Sequence, residues 1–126
     1  MRKIILILLL SNGCVFASPD LCPSTEAIKN EGLSDISLRD TTGHWFFGKT
    51  NVTYNTNVAW TFGILGVVAP NLISAKNKAS SVLNSLNNPK GPFQISSDDY
   101  MCTYENNMNL LTLAFTPPLP FGFKHE

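Results

Sequence analysis

The first seventeen residues of the chain have the pattern of a secretory signal peptide. The positive start Met1-Arg2-Lys3 is followed by an unbroken apolar run from Ile4 to Leu10. Ser11-Asn12-Gly13 interrupts the run. Val15-Phe16-Ala17 then has small or compact residues at its first and third places, which suits signal peptidase. The pattern predicts cleavage after Ala17, so that residues 1–17 are a signal peptide and the mature chain begins at Ser18.

Two other interpretations of this segment stay open. Gly13-Cys14 suits lipid attachment, although Ser11 and Asn12 suit it poorly, and a lipoprotein would be anchored at Cys14. The segment could also be a buried first strand or helix, but a core element rarely follows Arg-Lys at a chain start. The apolar run is far shorter than the roughly 20 residues that a membrane-spanning helix needs. We therefore predict an exported protein, periplasmic or secreted, with no stable membrane span after cleavage.

Removal of the leader would leave two of the three cysteines, Cys22 and Cys102. An even count in an exported protein predicts a disulfide between them. Closing a loop of about 80 residues would stabilise the fold by roughly 4–5 kcal/mol in the chain-entropy model. The alternative is two buried free thiols. No CxxC spacing occurs, so neither a thioredoxin-type redox motif nor a zinc ribbon is available.

The hydrophobic pattern of residues 18–116 predicts a single α+β domain. Ser24 is a suitable N-cap for a short helix that ends at Gly32 and that the disulfide would tether. Residues 72–86 carry the best apolar stripe at helical spacing, which predicts one long helix packed on a sheet. Asn87-Asn88-Pro89 should end this helix, because a helix rarely continues through the residue before proline. Residues 117–126 are a Pro-rich tail whose role stays open. Alternating or aromatic segments predict an antiparallel sheet of about five strands, drawn from residues 36–39, 44–49, 58–68, 93–96, 100–105 and 109–115. Asp40-Thr41-Thr42-Gly43, between the first two segments, predicts a turn.

Combinations of residues that carry catalysis are nearly absent. Asp40 and His44 could pair, but no particular serine or cysteine nucleophile is indicated beside them. Asp98 and Asp99 are adjacent, which fits a solvated turn better than a general acid and base. No phosphate-binding glycine loop and no HExxH motif occur. We predict that the protein is not an enzyme and has no metal site.

The charge balance argues against nucleic acid as a partner. Nine Lys and Arg residues equal nine Asp and Glu residues in the whole chain. Cleavage would remove Arg2 and Lys3, leaving seven basic against nine acidic residues and a net charge of −2. The lysines are scattered, whereas a phosphate-binding surface needs clustered positive charge.

Aromatic residues concentrate in two neighbouring predicted strands. Because side chains alternate along a strand, Trp45 and Phe47 should face one side of the sheet and Phe46 the other. A strand that is aromatic on both sides implies that its second face is also covered, by protein, partner or ligand. The simpler interpretation is an aromatic core beneath the long helix. The alternative is an apolar ligand surface, whose candidate residues are His44, Tyr54, Trp45 and Trp60. We predict no cofactor, with haem as the alternative. Haem would need an axial ligand, for which His44 and Tyr54 are the nearest candidates.

Several short motifs give the chain a resemblance to a known family. They are Cys22-Pro23-Ser24, Gly43-His44-Trp45-Phe46, Ala59-Trp60-Thr61-Phe62 and Cys102-Thr103-Tyr104, together with the Ala- and Leu-containing helix. The pattern resembles a domain-of-unknown-function family of small exported proteins from facultative intracellular gammaproteobacteria, part of which is labelled haemin-binding. The resemblance covers most of the mature chain but not residues 117–126. Its motifs are structural, so it implies an exported protein and supplies no ligand residue.

The function that these observations favour is binding or interaction outside the bacterial cytoplasm. The partner would be an unidentified protein or an apolar small ligand, with haem as the alternative. The location and shape of the second aromatic face distinguish a protein partner from a small ligand. A concave pocket would favour a small ligand, whereas a flat exposed patch would favour a protein partner.

The export hypothesis predicts the N-terminus of the mature protein. Mass spectrometry of material from the native host should find Ser18 as the first residue, because signal peptidase would cleave after Ala17. A diacylated Cys14 would select the lipoprotein alternative. Recovery of the protein in the cytoplasm with Met1 retained would contradict export.

Overall fold

The computed structural model of the protein describes residues 18–118. The predicted leader, residues 1–17, and residues 119–126 of the predicted tail lie outside this range. The described residues form an α+β fold in which every pair of neighbouring strands is antiparallel. In chain order, the elements are α1 (Thr25–Glu31), β1 (Ile36–Arg39), β2 (His44–Val52), β3 (Trp60–Val68), α2 (Leu72–Asn84), β4 (Asn87–Gln94), β5 (Tyr100–Glu105) and β6 (Leu111–Thr116).

The predicted α+β class is confirmed, but the sheet has six strands where about five were predicted. The largest difference is β4, whose first residues, Asn87-Asn88-Pro89, were predicted to be only the end of the helix. β4 lies at an edge of the sheet. An edge strand tolerates proline because its outward amides need no partner. Pro89 and Pro92 therefore hid a strand that the sequence pattern indicated only from Phe93 onwards.

Both helices have the caps that their sequences favour. The Ser24 hydroxyl accepts a hydrogen bond from the Ala27 amide at 3.1 Å, and α1 ends at Gly32, as predicted. Asn71 caps α2 by accepting from the Ser74 amide at 2.9 Å. α2 has 13 residues and ends at Asn84, slightly earlier than predicted. Its buried side chains confirm the predicted stripe, except that Leu72 is exposed: they are Ala75, Ala79, Val82 and Leu83.

The sheet is built from two units of the same design. In each unit a helix precedes three consecutive strands, α1 before β1 to β3 and α2 before β4 to β6. The strand order is β1-β2-β3-β6-β5-β4, so the β3–β6 pair lies at the centre and joins the units. Each edge of the sheet is consequently the first strand of its unit.

Both helices pack on the same face of the sheet. The rings of Phe62 and Tyr104 meet edge to face at 5.8 Å within this core. Ile28 is the residue of α1 that is fully buried there. The core joins the buried residues of both helices to side chains on one face of the strands, among them Phe47, Trp60, Phe62, Ile64, Cys102, Tyr104 and Ala114.

Within residues 18–118, no helix packs on the opposite face of the sheet. Cross-strand pairing places Leu65 beside Leu111, and Met101 between Phe115 and Phe93. Leu111 is 53% exposed and Phe93 is 48% exposed. Ile36 and Leu113, also on this face, are buried. We call this surface the helix-free face; its apolar side chains are Ile36, Leu38, Phe46, Leu65, Phe93, Met101, Leu111, Leu113 and Phe115.

Phe46 shows that the predicted alternation in β2 is correct. Trp45 and Phe47 stack at 6.2 Å between ring centroids on the helix side of the sheet. The Phe46 ring lies on the helix-free face against Gly63, where an added Cβ would come within 2.7 Å of the ring. Because glycine has no Cβ, position 63 leaves room for the Phe46 ring to lie against the sheet.

A disulfide joins Cys22, just before α1, to Cys102 on β5, with Cα atoms 5.8 Å apart. The predicted pairing is confirmed, and the separation is normal for a disulfide. Beside it, the buried Tyr104 hydroxyl donates a hydrogen bond to the Pro23 carbonyl at 2.6 Å. The start of α1, in the first unit, is thus fixed to the middle strand of the second unit.

The disulfide predicts a large stability difference between oxidised and reduced protein. Because the bond closes an 80-residue separation, Cys22→Ala/Cys102→Ala should lower the free energy of unfolding by several kcal/mol, up to about 4–5 kcal/mol. Denaturant unfolding of oxidised mature protein measures this. Reductant should cause a similar loss in the unaltered protein and none in the variant. Equal unfolding midpoints for the oxidised protein and the variant would contradict this account.

Candidate functional site

The four candidate ligand residues lie in two separate places. His44 and Trp45 begin β2, whereas Tyr54 follows Val52 at its other end, roughly 26 Å away by strand rise. Trp60 is paired with Val52 and its side chain is 0% exposed. Tyr54 is 4% exposed. The structure brings His44 and Trp45 together near the surface and places Tyr54 and Trp60 in the core.

The surroundings of Tyr54 and Trp60 are those of core residues. The Trp60 indole donates a hydrogen bond to the Thr56 hydroxyl at 2.8 Å. The Tyr54 hydroxyl is buried without a hydrogen-bond partner among the described residues. Burial, followed by the nearby Glu31 and Asp35 carboxylates, raises the Tyr54 pKa above its usual value. A phenolate ligand is therefore disfavoured at position 54.

The hairpin between β1 and β2 holds His44 through one carboxylate. Asp40 Oδ1 accepts hydrogen bonds from the Thr42 hydroxyl at 2.7 Å, the Thr42 amide at 2.8 Å and the His44 amide at 2.9 Å. Gly43 takes a φ of +86°, which glycine adopts without the steric cost of a Cβ. The predicted turn at residues 40–43 is confirmed, and its side chains are ordered by hydrogen bonds.

The Thr42 hydroxyl determines which nitrogen of the neutral His44 ring carries the proton. A hydroxyl has one hydrogen to donate, and Thr42 donates it to Asp40. In the 2.7 Å contact between Thr42 Oγ1 and His44 Nδ1, the ring nitrogen must then be the donor. Nε2 consequently carries the lone pair of the neutral ring and is the atom able to accept a proton or bind a metal.

Hydrogen bonding also tunes the Asp40 carboxyl. The Thr42 hydroxyl, followed by the His44 amide, lowers the Asp40 pKa to about 2 because both groups stabilise the ionised form. Asp40 is therefore negatively charged at neutral pH. The hairpin presents a carboxylate, a hydroxyl and an imidazole in series.

Next to this hairpin lies a concave surface of about 720 Å³, which we call the hairpin hollow. Trp45 is one of the residues that line it, and its indole donates a hydrogen bond to the Ala69 carbonyl at 3.0 Å. The Arg39 guanidinium lies 5.4 Å from the centre of the Trp45 ring, a cation–π arrangement. The hollow is lined by Leu38, Arg39, Asp40, His44, Trp45, Phe46, Leu65 and Gly66.

A second concave surface of about 420 Å³ lies on the other side of β1, beneath α2, and we call it the helix-side hollow. Sequence reasoning did not anticipate it, because its apolar members fit the pattern of ordinary core residues. Lys76 contributes the cationic side chain of the hollow. The hollow is lined by Gly32, Leu33, Ser34, Ser37, Phe47, Lys76, Ala79, Ser80 and Leu83.

The comparisons with known proteins give no family assignment. The chain matches no family model, no curated protein and no solved structure. The resemblance to the small exported gammaproteobacterial family therefore stays a prediction. Across residues 18–118, no helix has the length and apolarity needed to cross a membrane. In the same part of the chain, no three or more His, Cys, Asp or Glu side chains cluster to hold a metal ion.

The hairpin network predicts the effect of one methyl-for-hydroxyl exchange. Thr42→Val removes the main group that lowers the Asp40 pKa, so that pKa should rise from about 2 towards 3.8. NMR titration of the Asp40 side-chain carbon measures it, and Thr41→Val is the matched control because no side-chain hydrogen bond links Thr41 to Asp40.

The sign of the linkage follows from the lowered pKa. Ionised Asp40 stabilises the folded state above pH 3.8, and that contribution is lost as the pH falls from 3.8 to about 2. In Thr42→Val, the free energy of unfolding should therefore depend less on pH across this range. An unchanged Asp40 titration in Thr42→Val would contradict the proposed hydrogen-bond network.

Proposed function

We propose that this is a small exported bacterial protein that binds another protein and is not an enzyme. The observation that carries the proposal is the helix-free face, where Leu111 and Phe93 are about half exposed among apolar neighbours. An apolar patch that the described chain does not cover costs solvation free energy, and such patches commonly mark interaction sites. The same surface is the second aromatic face that the sequence predicted to need a cover.

Export is part of the same proposal. The pattern of residues 1–17, the Cys22–Cys102 disulfide and the odd Cys14 within the leader are mutually consistent. The destination is the periplasm or the medium, with membrane anchoring at a lipidated Cys14 as the alternative. The disulfide supports an oxidising compartment because cytosolic thiols are normally kept reduced.

The hairpin hollow favours a second candidate function, the binding of haem or another flat apolar ligand. Its volume of about 720 Å³ falls in the range of small-molecule sites. His44 Nε2 would be the axial ligand, Phe46 and Leu65 the apolar contacts, and Arg39 a partner for a ligand carboxylate. Haem would bring its iron chemistry, and the chain would hold and orient the group. Tyr54 and Trp60 do not belong to this site, because both are buried in the core.

Photo-crosslinking tests the protein-binding proposal. p-Benzoylphenylalanine replaces Leu111 on the helix-free face or, as a matched control, Ile73, which is 74% exposed on α2. In the native host, irradiation should give a discrete adduct from position 111 and none from position 73. Absence of an adduct at 111, or equal adducts at both positions, would contradict a partner on this face.

Haemin titration tests the second candidate. If the hairpin hollow binds haem, the mature protein should bind one equivalent with a shifted Soret band. His44→Ala should weaken binding at least about tenfold, since packing cannot replace an axial ligand. Tyr54→Phe should leave binding unchanged. Weak, non-stoichiometric adsorption that is indifferent to His44→Ala would remove this candidate.

A further inference from the structure

The two edges of the sheet differ in their capacity to pair with another strand. β4 contains Pro89 and Pro92, and its register with β5 shifts on both sides of Lys90. Prolines and register breaks are features that blunt an edge. β1 has no proline, and within residues 18–118 it pairs only with β2. β1 is therefore the edge whose outer side retains regular main-chain donors and acceptors.

The register of the hairpin identifies those donors and acceptors. The Asp40 amide donates to the His44 carbonyl at 2.9 Å, which places this pair in a hydrogen-bonded position of the ladder. Inward and outward groups alternate along an antiparallel strand. Ser37 and Arg39 consequently direct their amide and carbonyl groups away from β2. Because every second residue of an antiparallel strand hydrogen-bonds to a given neighbour, the outward amide and carbonyl groups of Ser37 and Arg39 have the spacing that an added strand needs.

The two hollows lie on opposite sides of this edge. Ser37 lines the helix-side hollow, whereas Leu38 lines the hairpin hollow. Alternate side chains of a strand added beside β1 would point to the two faces of the sheet, and so towards the two hollows in turn. Main-chain pairing with pockets for alternate side chains is the arrangement by which sheet edges recognise extended peptides.

The charge at the helix-side hollow specifies the occupant further. Lys76 is exposed there and makes no ion pair within the described residues. A carboxylate on the peptide side chain that faces α2 would pair with it. The hollows are otherwise lined largely by apolar groups, including Leu33, Leu83 and Phe46.

We infer that the outer edge of β1 binds an extended segment of a partner protein as a seventh strand, with apolar side chains entering both hollows and an acidic side chain meeting Lys76. This inference rests on the proposed protein-binding function and names its partner class. A second copy of the chain fits less well. Pairing two β1 strands about Ser37 would direct only Ser37 and the charged Arg39 to the helix side, so no apolar side chain of β1 would fill the helix-side hollow.

A designed peptide tests the inference directly. The probe is fluorescein-labelled Ser-Val-Leu-Phe-Glu-Val-Ser, which carries Leu and Glu on one face and Val, Phe and Val on the other. Fluorescence anisotropy with oxidised mature protein should show saturable binding. Ser37→Pro removes an outward donor without breaking the β1–β2 ladder and should weaken binding at least about tenfold. Ser37→Ala, which keeps the amide, is the matched control and should bind like the unaltered protein.

Two further variants separate main-chain pairing from apolar adsorption. N-methylation of both the Leu and the Phe amide of the probe should weaken binding, because amides alternate along a strand and one of these two must face β1 whichever way the peptide runs. Lys76→Glu should weaken binding of the Glu probe, and replacing Glu by Lys in the probe should restore it. Thermal unfolding of each variant verifies that the fold is retained.

Three outcomes would overturn the inference. One is no saturable binding up to roughly 1 mM probe. Another is binding that is indifferent to Ser37→Pro and to N-methylation. The third is a dimer in sedimentation that Ser37→Pro abolishes, which would make a second copy the occupant. A crosslink from Leu111 combined with any of these would leave the proposed protein-binding function standing, because that function requires only the helix-free face.

Discussion

The Cys22–Cys102 disulfide fixes the start of α1 to the helix-bearing face of the sheet. α1 has seven residues, too few to be stable alone, so its position depends on what holds its start. The disulfide and the hydrogen bond from Tyr104 to the Pro23 carbonyl supply that hold, and they connect the first helix–strand unit to the second. With both helices on one face, the main core lies on that side of the sheet among the described residues, although Ile36 and Leu113 are buried on the other face.

This one-sided arrangement accounts for the surfaces that the proposals use. The helix-free face leaves Leu111 and Phe93 about half exposed, although their cross-strand neighbours are apolar. The β1 strand borders both hollows: Ser37 lines the helix-side hollow and Leu38 lines the hairpin hollow. Each side of this edge of the sheet therefore adjoins a concave surface. A partner strand at β1 and contact with the helix-free face are compatible, because they use adjacent parts of the same sheet.

The sequence was sufficient for features that depend on local pattern or on cysteine count. It predicted the disulfide, the caps of α1, the turn at residues 40–43 and the opposite orientation of Phe46 and Phe47. It missed the full length of β4, because proline opposes strand formation except at an edge, and edges are set by tertiary pairing. The sequence also did not show that Tyr54 and His44 lie far apart, because their separation depends on the full length of β2, which reaches Val52. The helix-side hollow arises where α2 packs near β1, and the hairpin hollow where β1, β2 and β3 lie side by side. No local pattern encodes either arrangement.

Solvent accessibility of individual methyl groups tests the one-sided core most directly. In methyl-labelled mature protein, a neutral paramagnetic cosolute should strongly broaden the Leu65 and Leu111 methyl signals and leave those of Ile28 and Val82 nearly unchanged. The reason is that the first pair lies on the helix-free face and the second pair lies beneath the helices. Equal protection of both pairs would contradict the account, because it would mean that the free protein already covers both faces of its sheet.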